Sequence, residues 1–173
     1  MERARPRRRI YPEGWTRGPA PAGGGGWAGR GGGRGGGRSV GAAHPDGDSI
    51  VFIKDANVLH MGDTFFHTWY PFIDAESGGN IHGMIAVHEK GLALADDKTK
   101  IIPGHGPLAT KADLQEAHDK LVSVRDALQS RIDKGMSDEE IIADKPLDAL
   151  DLGWGGFLKP EQFVAITLAG MRS

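Results

Sequence analysis

Thirteen of the 27 glycines in this 173-residue chain fall between Gly18 and Gly41, and that concentration decides where a fold can form. Residues 1–40 are Pro, Gly and Arg with three isolated large aromatics, Tyr11, Trp15 and Trp27. Such a segment buries too little apolar area to offset the entropy of ordering it. Gly23 to Arg38, where Gly-Gly-Gly-Arg repeats, is expected to be disordered. Charge divides at the same place: residues 1–40 carry nine Lys and Arg against two Glu, and residues 41–173 carry twelve against 21 Asp and Glu. The expected organisation is therefore a disordered low-complexity Gly/Arg segment over 1–40 and a folded domain over 41–173. Three readings of the Gly/Arg segment stay open. It is a tail that follows a nucleic-acid backbone by charge and stacking, a solvated linker, or the product of a misread or frame-shifted start.

The chain has no cysteine, which excludes disulfides, thiolate metal sites and a Cys nucleophile. A metal would have to be held by His and carboxylate, a donor set that favours zinc, iron or manganese. No run of 18 apolar residues occurs, so no membrane span is expected. The N-terminal arginines are not followed by an apolar core, so no secretory signal is recognised and a cytoplasmic location is expected.

From Ser49 the pattern becomes regular. Ile50-Val51-Phe52-Ile53 reads as a strand, Lys54-Asp55 as a turn, and Asn57 to Met61 as a second strand, so 49–61 forms a hairpin. Residues 67–76 read as a loop with aromatic anchors. Asn80 to about Ala95 reads as a helix, with Ile81, Met84, Ile85, His88 and Leu92 at helical spacing. Lys98 to Pro103 reads as a third strand. Thr110 caps the next helix with Asp113 in its first turn, Leu114, Leu121, Val124, Leu128 and Ile132 form its stripe, and Gly135 ends it. Ser137 with Glu140 makes a capping box for a short helix through Ala143. Pro160 opens a last helix over 160–169. The order strand, strand, helix, strand, helix, helix, helix is an α/β arrangement whose few strands need partners.

Three stretches carry the chemistry: Ala43-His44-Pro45-Asp46-Gly47-Asp48-Ser49, Met61-Gly62-Asp63-Thr64-Phe65-Phe66 and Ile102-Pro103-Gly104-His105-Gly106-Pro107. Each offers a metal-ligating type beside an expected strand end, where open α/β architectures place their sites. Two imidazoles and a carboxylate suit zinc, and a carboxylate can bridge two metals. Individually, His44 and Asp63 also read as turn or capping residues. Gly-His-Gly at His105 allows close approach of backbone or ligand. His60 reads as a packed residue or one that orients a ligand. His67 borders the pocket as a substrate contact or a surface residue. His82, His88 and His118 read as partly buried or solvated helix residues, and Trp69, Tyr70 and Phe72 as pocket walls or loop anchors.

At these three motifs the sequence resembles the metallo-β-lactamase superfamily, specifically its C-terminal half, over roughly 41–173. The resemblance implies half of a four-layer αββα sandwich. It further implies that His44 binds a first metal, Asp63 bridges and His105 binds a second, with one or two zinc ions as cofactor. The implied activity is hydrolysis of a small-molecule ester, thioester, lactam or phosphoester by a metal-bound hydroxide. The family's His-x-His-x-Asp-His motif is absent from the chain. Two alternatives therefore stand beside the truncated hydrolase: an inactive fragment or pseudoenzyme keeping the C-terminal half, and an RNA-binding protein acting through the Arg-Gly tail. The net negative remainder argues against a nucleic-acid partner.

Overall fold

The computed structural model describes residues 36–39 and 49–172. The expectations for residues 1–35 and 40–48, including His44 and the bulk of the Arg-Gly segment, lie outside the described residues. What is described is a small α/β domain with a mixed sheet and four α-helices. Its strands are β1 (Gly36–Ser39), β2 (Ser49–Ile53), β3 (Val58–Phe66) and β4 (Lys100–His105). Its helices are α1 (Ile81–Leu94), α2 (Lys111–Asp133), α3 (Asp138–Ala143) and α4 (Pro160–Met171). The sheet order is β1-β2-β3-β4. β1 pairs antiparallel with β2, and β2 antiparallel with β3, whereas β3 and β4 are parallel. β1 joins by backbone pairing at an edge, which needs no apolar side chain. No helix among the described residues is long and apolar enough to cross a membrane.

The expected hairpin is present. A single 3₁₀ turn over Lys54–Ala56 joins β2 to β3, and Asn57 closes it with φ of 50°, a left-handed conformation that Asn adopts more readily than most residues. Both C-terminal strand ends differ from expectation. β3 does not stop at Met61 but runs on to Phe66, and β4 ends at His105 rather than Pro103. The reason is local: Gly62 takes φ of 53° and bends the strand without ending its pairing.

Helix boundaries follow their caps. Asn80 accepts from the Gly83 amide at 2.8 Å to open α1. Thr110 and Asp113 form a full capping box on α2, as Ser137 and Glu140 do on α3. Leu114, Leu121, Val124 and Leu128 bury the α2 stripe. α1 lies between the sheet and α2. Gly91 makes this approach close, because a Cβ there would stand 3.1 Å from the Met61 and Leu114 side chains.

Side chains alternate across the strands, and the two faces of the sheet differ. Ile50, Leu59, Met61 and Ile101 point into the core. On the other face Val51, Ile53 and Ile102 remain 38%, 46% and 36% exposed, so this face is apolar yet open. At the end of the sheet where β3 and β4 begin, three side chains form a polar knot. Asn57 Nδ2 donates to Asp96 Oδ1 at 2.9 Å, and Thr99 Oγ1 donates to Asn57 Oδ1 at 2.7 Å. The hydrogen bonds that Asp96 accepts, that from Asn57 first, hold its carboxyl below the usual range.

An apolar patch of this kind promotes association. The chain is expected to self-associate in sedimentation, and replacing Val51, Ile53 and Ile102 together by Thr, which keeps strand preference, to shift it towards monomer. A monodisperse monomer of the unsubstituted chain would contradict this.

Candidate metal centre

The site is built by an irregularity in the parallel β3–β4 pair. β3 and β4 match Gly62 with Pro103, then Phe66 with His105. Three residues of β3, Asp63, Thr64 and Phe65, therefore oppose Gly104 alone on β4. Extra residues of this kind form a bulge, which disrupts the ladder and re-aims side chains. The bulge is tied from within. Thr64 Oγ1 donates to the Met61 carbonyl at 2.7 Å. The Thr64 carbonyl accepts from His88 Nε2 at 2.9 Å. A carbonyl only accepts, so Nε2 carries the proton, and the buried Nδ1, which has no partner, is the bare nitrogen of a neutral imidazole. Burial pushes His88 down to about 4, against the opposing effect of the Thr64 bond.

On the solvent side the bulge turns Asp63 towards the end of β4. Asp63 Oδ1 stands 3.5 Å from His105 Nε2, and both side chains are about half exposed. Gly104 makes the approach possible. A Cβ there would stand 2.1 Å from Asp63 Oδ1 and 2.7 Å from the Gly62 carbonyl carbon. Just after His105, Gly106 has the same role, with φ of 93° and a position for Cβ only 2.1 Å from the His67 carbonyl oxygen. The His67 amide donates to the His105 carbonyl at 2.9 Å, and its Nδ1 donates to the Pro107 carbonyl at 3.0 Å. His67 thus braces the loop that carries His105.

Aromatic rings fix the His105 imidazole. Phe66 stacks on it at 4.7 Å between centroids, Trp69 at 5.7 Å, and Phe157 meets it more steeply at 6.3 Å. Phe157 arrives from far along the chain because its loop is pinned. Gly155 accepts from the Tyr70 amide and donates to the Thr68 carbonyl, both at 3.0 Å. Rings packed against the imidazole faces leave its in-plane nitrogens as the groups able to bind.

Metal–donor bonds of about 2.0–2.2 Å at tetrahedral angles put neighbouring donor atoms about 3.3–3.5 Å apart. The Asp63–His105 separation fits two corners of such a site. Among the described residues no third His, Cys, Asp or Glu completes a group able to hold a metal, and His44 lies outside them.

The remaining histidines separate clearly. His60 is exposed on the open face, so its reading as a packed residue is corrected: strand alternation carries it away from the core. His67 is partly buried and serves its loop, with Nε2 3.8 Å from Asp113. Two hydrogen bonds from Thr110, and then the His67 charge, lower the Asp113 carboxyl. His82 is exposed, and part-buried His118 donates through Nδ1 to Asp119 at 2.9 Å. His88 is the opposite of solvated, at 2% exposure. Its place within an apolar helical stripe was the signal of burial. The bulge it serves had no sequence signal beyond Gly62, and Phe157 had none at all.

Compared with protein-family models and with curated proteins, the chain matches none.

Two outcomes follow from this geometry. Gly104→Ala is expected to cost about 2 kcal/mol or more in urea unfolding, because Asp63 and the Gly62 backbone must move. Gly155→Ala, with no atom within 4 Å of the new Cβ, should stay within about 0.5 kcal/mol. Equal losses would contradict the close-approach argument. For His88, the folded value of about 4 lies below the unfolded value of about 6.5. Its contribution is complete above the unfolded value and is lost as pH falls from there through the folded one, about 3 kcal/mol in all. His88→Gln, which can still donate to Thr64, should lose that share of the acid dependence. An unchanged slope between neutral and acidic pH would refute it.

Proposed function

We propose that this chain carries the C-terminal half of a metallo-β-lactamase-type hydrolase site, with Asp63 and His105 as metal ligands and His44 as a third. The observation that carries the reading is the Asp63–His105 pair, held 3.5 Å apart by a bulge on one strand and a glycine on its neighbour. The donor chemistry fits zinc, with Asp63 in the bridging role, His44 on a first metal and His105 on a second. Bound zinc would supply Lewis acidity, polarising a carbonyl or phosphoryl oxygen and lowering the pKa of water. The residues of the chain do the positioning. The bulge presents the Asp63 carboxylate, Phe66, Trp69 and Phe157 fix the plane of His105, and His67 holds its loop. The substrate class is a small ester, thioester, lactam or phosphoester.

The open sheet face, apolar at Val51, Ile53 and Ile102, supports the finer assignment of fold. In an αββα sandwich a second sheet covers such a face. The absence of His-x-His-x-Asp-His from the sequence favours a second reading, in which the chain keeps the fold without completing a metal pair and is not catalytic.

Zinc content and zinc titration calorimetry on the full chain test both. About two equivalents per chain favour the enzyme, and none the non-catalytic reading. Asp63→Asn and His105→Gln are each expected to weaken zinc binding about tenfold or more, the loss typical of a disturbed metal site, while His60→Gln leaves it unchanged. Zinc binding indifferent to Asp63 and His105 would refute the assignment of ligands.

A further inference from the structure

His88 stands where the pattern of α1 calls for an apolar side chain, in line with Ile81, Met84 and Ile85. It is buried, and its Nδ1 is left without a hydrogen bond. An unpaired buried polar atom is costly, so an apolar residue of similar size would suit this position better on packing alone. What His88 adds is one bond, from Nε2 to the Thr64 carbonyl at 2.9 Å.

Thr64 is held twice. Its carbonyl accepts from His88, and its hydroxyl donates to the Met61 carbonyl at 2.7 Å. Both ties are buried, and both act on the residue next to Asp63. Asp63 itself is about half exposed, and its contact with His105 Nε2 at 3.5 Å is too long to anchor it. The backbone therefore aims the carboxylate. The tolerance is small, because Asp63 Oδ1 lies over Gly104, where a Cβ would stand only 2.1 Å away.

His88 also reaches the segment that carries His105. The Phe65 ring meets His88 edge-on at 5.4 Å and stacks on His67 at 5.8 Å. The His67 amide in turn donates to the His105 carbonyl at 2.9 Å. One buried imidazole is thus bonded behind Asp63 and packed behind the loop of His105.

We propose that His88 and the Thr64 hydroxyl are positioning groups for the metal centre, their two inward ties holding Asp63 at the separation from His105 that one zinc ion can span. The inference rests on the reading of Asp63 and His105 as ligands, and adds that the affinity of their site is set partly from the core.

The test compares His88→Met, which keeps bulk and removes the donor, with His88→Gln, which can still donate to Thr64, and with Thr64→Val. The readouts are zinc titration calorimetry and amide NMR spectra of the zinc-free full chain. In His88→Met the amides of Asp63, Gly104 and His105 are expected to shift, and zinc affinity to fall about tenfold or more, the loss typical when the support of a ligand is removed. His88→Gln should bring both back towards the unsubstituted chain. Thr64→Val should weaken binding by a smaller factor. Leu128→Ala, a cavity in the α2 stripe, should lower the thermal midpoint at least as far as His88→Met and leave zinc affinity unchanged. Equal weakening in Leu128→Ala, or full zinc affinity in His88→Met, would overturn the proposal. Should His88→Met not fold, full affinity and unmoved amides in Thr64→Val would overturn it. If the unsubstituted chain takes up no zinc, the ligand assignment fails by itself. The zinc-free amides of Asp63, Gly104 and His105 then decide the positioning role, which falls if they do not move.

Discussion

The hydrogen bond from His88 to the Thr64 carbonyl holds together two regions of the molecule that would otherwise conflict. A bulge of three residues against one leaves a strand carbonyl without a ladder partner inside the core, and an unpaired buried polar group is costly. α1 supplies the missing donor from a position that the helical pattern would fill with an apolar side chain. The imidazole must stay neutral to do this, which burial enforces. Core and surface are thereby linked: the side of the bulge that faces inward is satisfied by His88, and the side that faces outward carries Asp63.

Glycine does the complementary work on β4. The parallel partner of a bulged strand must come close where the bulge protrudes, and at Gly104 the space for a side chain is taken by Asp63 and the Gly62 backbone. Gly106 then lets the chain turn under His67. The Pro-Gly-His-Gly run is thus a steric requirement of the strand pair as much as a setting for His105. The aromatic packing around His105 is a third layer of the same construction, drawn from β3, the loop after it and a distant loop before α4.

The element order from Ser49 onward, the caps of α2 and α3, the α2 stripe and the hairpin were legible in the sequence, because each depends on residues close in the chain, whereas β1 lies in the Gly/Arg segment where no strand pattern exists. Strand ends were less so. Gly62 reads as a stop signal, yet the sheet continues past it because β4 supplies bonds that no local pattern reveals. The partnership of Asp63 with His105 followed from motif recognition, whereas its distance depends on a register that only the folded pair defines. His60 illustrates the limit of local reading. Its place in an apolar run suggested packing, but the parity of the strand sends it to the open face. Phe157 and His88 act through contacts more than twenty residues away in sequence; the helical stripe marked His88 as buried, but nothing near either residue announced its partner.

The polar knot of Asn57, Asp96 and Thr99 lies at the opposite end of β3 and β4 from Asp63 and His105. It fastens the turn that opens β3 to the turn that opens β4, so the two strands are indexed to each other before either reaches the bulge. The register is therefore fixed at the start of the ladder, away from where Asp63 and His105 stand. The two ends of the strand pair thus carry different duties: side-chain hydrogen bonds set the alignment at one end, and close backbone approach shapes the surface at the other.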